Sequence, residues 1–366
     1  MGLYDGPARI LRPEIEAGRR ILITSDIHGN LPYFRGVLDA AGFCADDLLI
    51  VDGDFLEKGE ESLKTLRFLM ELSKAGNVIT LMGNCDDWGA IFQEDTHWSR
   101  GIFRYMRWRR SGLLWDMALE MGLDPAALDD MEDFKLNLAA VFPEEFAFLN
   151  ALPQALETER FIIAHAAVYP DKPLEAHTVG ELVRCDRFLD LGFSFDKWVI
   201  VGHYPVMLYG ENTVCANPII DRERKIVSID GACVLKDDGQ LNCLILPDKD
   251  SEDFSFVAYD HFPVRRVLSD QRGGGRSYYI RWGDSRVQVL ARGKEFSRCR
   301  HMSTGYEMDI LTKYLYSDAE FTDCNDCTDY VLPLRAGDEV RVVETCSRGY
   351  FVKHKGVSGW YYGELE

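Results

Sequence analysis

Between residues 20 and 86 the chain alternates short apolar runs with longer stretches whose apolar residues recur at helical spacing. RILITS, DDLLIVDG and NVITLMG have the length and β-branched content of buried strands, and each closes on a polar or glycine-containing turn. LPYFRGVLDAAGF and EESLKTLRFLMELSKAG, which lie between them, carry an apolar stripe at the helical period. The order βαβαβ predicts a parallel sheet with right-handed crossovers.

The pattern changes at residue 88. Residues 88–158 are rich in Trp, Met, Leu and Asp, show no strand period, and are expected to form a helical insertion. Strands resume at RFIIAH and KWVIVGH, followed by KIVSIDG and QLNCLIL as an antiparallel continuation. The expected first domain is an α/β sandwich over residues 1–268. SDQRGGGRS (269–277) is read as a linker. After it, in 278–366, the pattern is purely β.

Composition narrows the class. The 366 residues are 46% hydrophobic and 28% charged, enough for two domains with sizeable cores. Sixty acidic against 41 basic residues give a formal charge of −19, which disfavours nucleic acid and anionic membranes as partners. An anionic substrate therefore requires a local reversal of sign. No signal-peptide pattern and no run near the ~18 apolar residues of a membrane span are present, so a cytoplasmic protein is expected. Ten scattered cysteines suit reduced thiols, and Cys324–Cys327 lacks a second pair at zinc-site spacing.

The strand ends carry the candidate chemistry. RILITS leads to Asp26 and His28, LLIVDG to Asp54, NVITLMG to Asn84, RFIIA to His165 and WVIVG to His203. Ligands of α/β sheets gather at the carboxyl ends of strands, so these six side chains are expected to converge. Taken singly, each is as well explained by a cap, a turn or a core histidine. As a set, three oxygen donors and three imidazoles exceed one tetrahedral site and suit two ions that share a carboxylate.

The ordered blocks SDIHGN, GDFLEKG, GNCD, AHAAVYPDKPLEAH, GHYPV and IDGACVLKDDGQLNCLIL resemble the calcineurin-like metallophosphoesterases, and within them the bacterial phosphoprotein (serine/threonine) phosphatase branch. The resemblance covers residues 20–250 and implies a four-layer αββα sandwich. It implies that Asp26, His28 and Asp54 hold one divalent ion, and that Asp54 also bridges to a second held by Asn84, His165 and His203. The metals implied are Mn, Fe or Zn. A metal-bridging hydroxide would then attack phosphorus in a phosphoprotein or a small phosphoester.

The chain departs from that pattern at three positions. Lys58 stands where the family carries a phosphate-binding Arg, keeping the charge without the bidentate fork. Cys85 stands where a His assists the leaving group, and Glu57 where an Asp orients that His. The family's further phosphate-facing Arg maps onto Arg184, with Arg187 as the alternative. Without the imidazole, activated esters and diesters are expected to be better substrates than phosphoserine. The GNCD spelling resembles phosphodiesterases of the same superfamily, which keeps a phosphodiesterase or nucleotide hydrolase as the alternative. A non-catalytic metal-binding scaffold is the alternative from another class.

Three further features complete the reading. Arg100, Arg104 and Arg107 share a helical face, either a solvated surface or a basic lid over the site. His177 is read as structural, and Asp230 as turn-forming or as support for the ligands. Residues 311–366 resemble a bacterial SH3-like module, which implies a small barrel with a peptide or protein partner, and Trp360 is expected to pack its core.

Overall fold

The computed structural model describes residues 3–91 and 99–366. The chain divides into two compact units. The first comprises 1–205, 218–235 and 239–260; the second comprises 206–217, 236–238 and 261–366.

The first unit is built on two sheets. Ile21–Thr24, Leu48–Asp52 and Val78–Leu81 pair in parallel, in the predicted order, within a five-stranded sheet. Leu241–Leu246 joins its other edge, antiparallel to Ile21–Thr24. The second sheet has six strands, with Phe161–Ala164 and Trp198–Val201 parallel at its centre. Alternate residues of both sheets form one core: Ile21, Ile23, Leu48 and Ile50 from the first, Phe161, Ile163, Trp198 and Ile200 from the second. Side chains of a strand alternate between faces, so this set is the inner face of each sheet.

The helix Leu31–Ala41 shows why the first metal-capable turn is free for other duties. Its amino end is capped by Asn30, whose side chain accepts from Tyr33 N, and its carboxyl end stops at Gly42 in the left-handed conformation. Asp26 is therefore not needed as a cap. One strand direction departs from expectation. Ile226–Ser228 runs parallel to Trp198–Val201, and the antiparallel partner is a separate strand, Ile219–Asp221. The short crossover through 206–217 is what turns the chain round before that strand.

The expected insertion is helical. Trp88–Ile91, Ser99–Arg109, Leu113–Glu120, Met131–Val141 and Pro143–Ala151 follow one another before the next strand, Ala155–Glu157. No helix of the described residues is long and apolar enough to cross a membrane.

The second unit is all β apart from short turns. Its five-stranded sheet takes strands Val264–Arg266, Glu339–Cys346, Gly349–His354 and Val357–Tyr361, then ends on Val214–Cys215. A four-stranded sheet, containing Arg286–Ala291 and Phe296–His301, surrounds a smaller core of Ile280, Val287, Cys299, Met308, Ile310 and Cys324. The stretch 269–277 is bound into this unit and does not act as a connector. Gln271 exchanges backbone bonds with Leu334, and its side chain donates to the carbonyls of Leu332 and Trp360. Glycine content suggested freedom there; a side-chain amide supplied the anchoring.

Candidate metal centre

Five strand ends of the first unit bring the six candidate ligands together. His28 Nε2 lies 3.8 Å from Asp26 Oδ1 and 4.0 Å from Asp54 Oδ2. On the other side of Asp54, His165 Nε2 is 3.3 Å from Oδ1. Potential ligand atoms of Asp54, His165 and His203 all fall within 4.8 Å of one another, and so do those of His28, Asp54 and Cys85. Asp54 belongs to both groups. Asn84 follows the strand Val78–Leu81 and sits beside this carboxylate, since the next backbone N–H, that of Cys85, donates to Asp54 Oδ1 at 2.7 Å.

The backbone is bent to achieve this. Asp26, His28, Asp54 and His203 all adopt left-handed conformations, with φ of 57°, 52°, 49° and 66°. For residues other than glycine this is uncommon and marks geometry imposed by the surroundings. Neighbouring glycines permit the close approach. A Cβ on Gly83 would lie 2.2 Å from Asp54 Oδ1, and one on Gly202 would lie 2.3 Å from Asp26 Oδ2.

The donor set fits divalent cations on its own chemistry. Asp26 Oδ1, Asn84 Oδ1 and His165 Nε2 are buried without a hydrogen-bond partner, a costly state for polar atoms with nothing to bind. The remaining ring nitrogens are already oriented. His165 Nδ1 contacts the Asp52 carbonyl at 2.8 Å and His28 Nδ1 the Leu56 carbonyl at 3.3 Å, which leaves Nε2 of each ring facing Asp54. Burial lowers His28 to about 4 and His203 to about 3, so both rings are neutral, as metal ligation requires. His165 moves the other way: burial would depress it, but the Asp54 carboxylate beside it holds it well above the ordinary range. A proton on His165 and a cation at Asp54 satisfy the same negative charge, so they compete.

Asp86 is the residue that sequence reasoning left unassigned. Its Oδ2 accepts from Asp54 N at 2.6 Å and Gly83 N at 2.9 Å, while Oδ1 accepts from Leu56 N at 3.1 Å. One buried carboxylate thus clamps the GDF turn to the GNC turn. The signal was present in GNCD as its one acidic residue, but two of its three partners, the N–H groups of Asp54 and Leu56, lie 32 and 30 residues away.

Burial is the main cause that lowers His28 and His203, and Lys58 is near enough for its charge to add to it. Cys85 is half-buried at residue level, and burial pushes its thiol well above the ordinary range, with Asp54 adding to the shift. Glu57 has a different role from the one the family pattern implies. Its carboxylate accepts from Trp88 Nε1 at 2.9 Å, Tyr105 OH at 3.0 Å and Leu113 N at 2.8 Å, so it anchors the helical segment and makes no bond to Cys85. A shared position in a motif does not carry a shared contact when the partner has changed from imidazole to thiol.

The segment 184–187 approaches the centre with alternating charge. Arg184 Nη2 is 3.9 Å from Asp87 Oδ2, and Asp186 Oδ1 is 3.7 Å from His203 Nε2. Arg187 pairs with Asp190 and donates to Tyr204 OH at 3.3 Å. The basic helix behaves less like a lid. Arg107 donates to the Ala126 and Leu128 carbonyls, stapling the helical segment to itself, and Arg104 is exposed. The side chain of Arg100 lies outside the described residues. Arg109, outside the expected trio, donates to the Lys58 carbonyl at 2.5 Å. His177 is engaged within its own segment, accepting from Tyr169 N at 3.0 Å. Asp230 Oδ1 accepts from Ala232 N at 2.7 Å, which makes the turn, and its burial raises it to about 7.

The family model described as calcineurin-like phosphoesterase matches residues 19–207, just over half of the chain. A symmetrical bis(5'-nucleosyl)-tetraphosphatase of Wigglesworthia glossinidia brevipalpis is 35% identical over 63 residues, which span 17% of this chain and 22% of that protein. Among solved structures, a putative diadenosine tetraphosphatase is similar at a TM-score of 0.43 and 16% identity, covering 69% of this chain and 98% of its own. A serine/threonine phosphatase of Saccharomyces cerevisiae is similar at 0.40 and 11%, covering 71% and 86%.

Proposed function

Because the chain belongs to the calcineurin-like phosphoesterase family, metal-dependent hydrolases of phosphate esters, we propose that it is a dinuclear phosphoesterase acting on substrates with good leaving groups. The observation that carries this reading is the pair of potential ligand groups sharing Asp54, with three ligand atoms buried and unpartnered around it. Asp26, His28 and Asp54 would hold one ion; Asp54, Asn84, His165 and His203 would hold the other. Such a pair of ions supplies Lewis-acid activation of water and neutralises phosphoryl charge. The chain's own residues supply the remainder. Lys58 and Arg184 offer positive charge to the phosphoryl group, and Asp86 keeps the two central turns in register.

The leaving-group side explains the substrate preference. Imidazole is the side chain best matched to protonating an alkoxide near neutral pH. Among the described residues of the first unit, His28, His165 and His203 are drawn into the ligand set and His177 is engaged elsewhere. Among the described residues, then, none of these imidazoles is free to assist a phosphoserine alkoxide. A nitrophenolate, or the phosphate of a polyphosphate chain, needs no such assistance. That consideration, with the tetraphosphatase relative, supports diester or nucleotide polyphosphate hydrolysis over a phosphoprotein phosphatase.

For the second unit, the SH3-like assignment over 311–366 stays part of this proposal. Trp360 is 9% exposed and donates its indole N–H to the Thr328 carbonyl, which supports a packing role for it.

Elemental analysis and turnover with added Mn²⁺ test the proposal. Close to two ions per chain are expected, with bis-p-nitrophenyl phosphate and a dinucleoside tetraphosphate cleaved faster than a phosphoserine peptide. Preference for the phosphopeptide would restore the protein phosphatase reading. No turnover with any metal would leave a metal-binding scaffold.

A further inference from the structure

The amino-terminal segment contributes a side chain to the rim of this centre that no sequence motif announces. Tyr4 lies in the short turn Leu3–Asp5, laid against the helix Val179–Val183. Val179 N donates to the Gly6 carbonyl at 3.0 Å, and Ala8 N to the His177 carbonyl at 3.1 Å. Gly180 makes the fit close, since a Cβ there would stand 3.1 Å from the Tyr4 carbonyl oxygen. The phenol is thereby delivered to the turn that bears Asn84 and Cys85. It donates to Asp87 Oδ2 and accepts from Arg184 Nη2, while the Arg184 guanidinium lies 3.8 Å from the centre of the Tyr4 ring.

Three segments more than 80 residues apart thus meet in one tyrosine–aspartate–arginine group. Asp87 is buried, and the Arg184 side chain is 53% exposed. A guanidinium has five N–H donors in a rigid plane. Among the described residues the hydrogen bond of Arg184 takes one of the two N–H groups of Nη2, so the other N–H still completes one bidentate edge, with Nε or with Nη1, that suits a phosphoryl group. Arg187, by contrast, has Nε on Asp190 and Nη1 on Tyr204.

We propose that Tyr4 and Asp87 seat Arg184 as the anion-gripping arm of the site, with Tyr4 a positioning residue and the substrate's phosphoryl group the ligand. The inference rests on the phosphoesterase reading and supplies the planar fork that Lys58 lacks. Stacking on the Tyr4 ring and a bond to its hydroxyl fix both the plane and the reach of the guanidinium, so that little freedom is lost when phosphate binds.

The test uses the full-length metal-loaded protein with inorganic phosphate as probe, read by calorimetry and by competitive inhibition. Tyr4→Phe keeps the ring and removes the hydroxyl. It should weaken phosphate binding roughly tenfold, the loss expected of one charge-assisted bond, with the larger change in KM and no change in metal content. Arg184→Lys should do the same. The double variant should be no worse than either single one, because the two residues act as a unit. Unchanged phosphate affinity in Tyr4→Phe overturns the proposal, as does an additive double variant or a wild type that does not bind phosphate. Wild-type protein that binds phosphate but turns over no ester with any metal would instead defeat the phosphoesterase reading.

Discussion

Glu57 offers a prediction whose size follows from its surroundings. Its carboxyl is buried, and that burial raises it from 4.5 to about 7 despite three donors directed at it. Between those two values the folded protein binds a proton that the unfolded chain has lost, so stability falls as pH rises across the interval. At about 1.4 kcal/mol per pH unit, the contribution amounts to roughly 3 kcal/mol. Glu57→Gln removes this dependence while retaining the shape. Its amide oxygen can accept from Trp88 Nε1 and Leu113 N, and its NH₂ can donate to the Tyr105 hydroxyl, which rotates to accept. Urea unfolding at pH 5 and pH 8 should therefore find the variant within about 1 kcal/mol of wild type at the lower pH. At the higher pH it should be more stable by roughly 3 kcal/mol. Two variants of equal stability at pH 8, or a Gln protein already several kcal/mol weaker at pH 5, would refute the reasoning.

Other outcomes follow from the same site. Asp86→Ala leaves the N–H groups of Asp54, Leu56 and Gly83 without their acceptor, at roughly 1–3 kcal/mol each, and should cost at least 3 kcal/mol in urea midpoint terms along with most of the bound metal measured by elemental analysis. Cys85→His restores an imidazole on the leaving-group side and should raise turnover of alkyl monoesters by tenfold or more, with little change for nitrophenyl esters. An equal gain for both substrate types would show that the leaving group is not what position 85 senses.

The parts of the molecule that could be read from the chain are those in which function and local pattern coincide. Asp26, His28, Asp54, Asn84, His165 and His203 each follow an apolar run directly, so finding the strands located the residues that the structure brings together. Apart from the bond of Asp86 to the nearby Gly83 N, Asp86, Asp87 and Tyr4 act through partners 30 to 180 residues distant, and nothing in their own neighbourhood records those partners. Arg107 illustrates the opposite difficulty. Helical spacing placed it on a charged face, yet its fork closes on the Ala126 and Leu128 carbonyls, which no spacing rule anticipates. The direction of Ile226–Ser228 was equally hidden, because a three-residue strand has the same apolar pattern whichever way it runs.

The polypeptide visits the all-β unit twice before settling there, at 206–217 and again at 236–238. Val214 and Cys215 provide the outermost rung beside Ser358 and Val357, and Lys236 meets Asp326. Neither half can be obtained by a single scission. A fragment beginning at 261 would carry a bare β-edge and an acid stripped of its counter-charge, and so be prone to self-association. Dissecting the two halves calls for point substitutions within the intact chain.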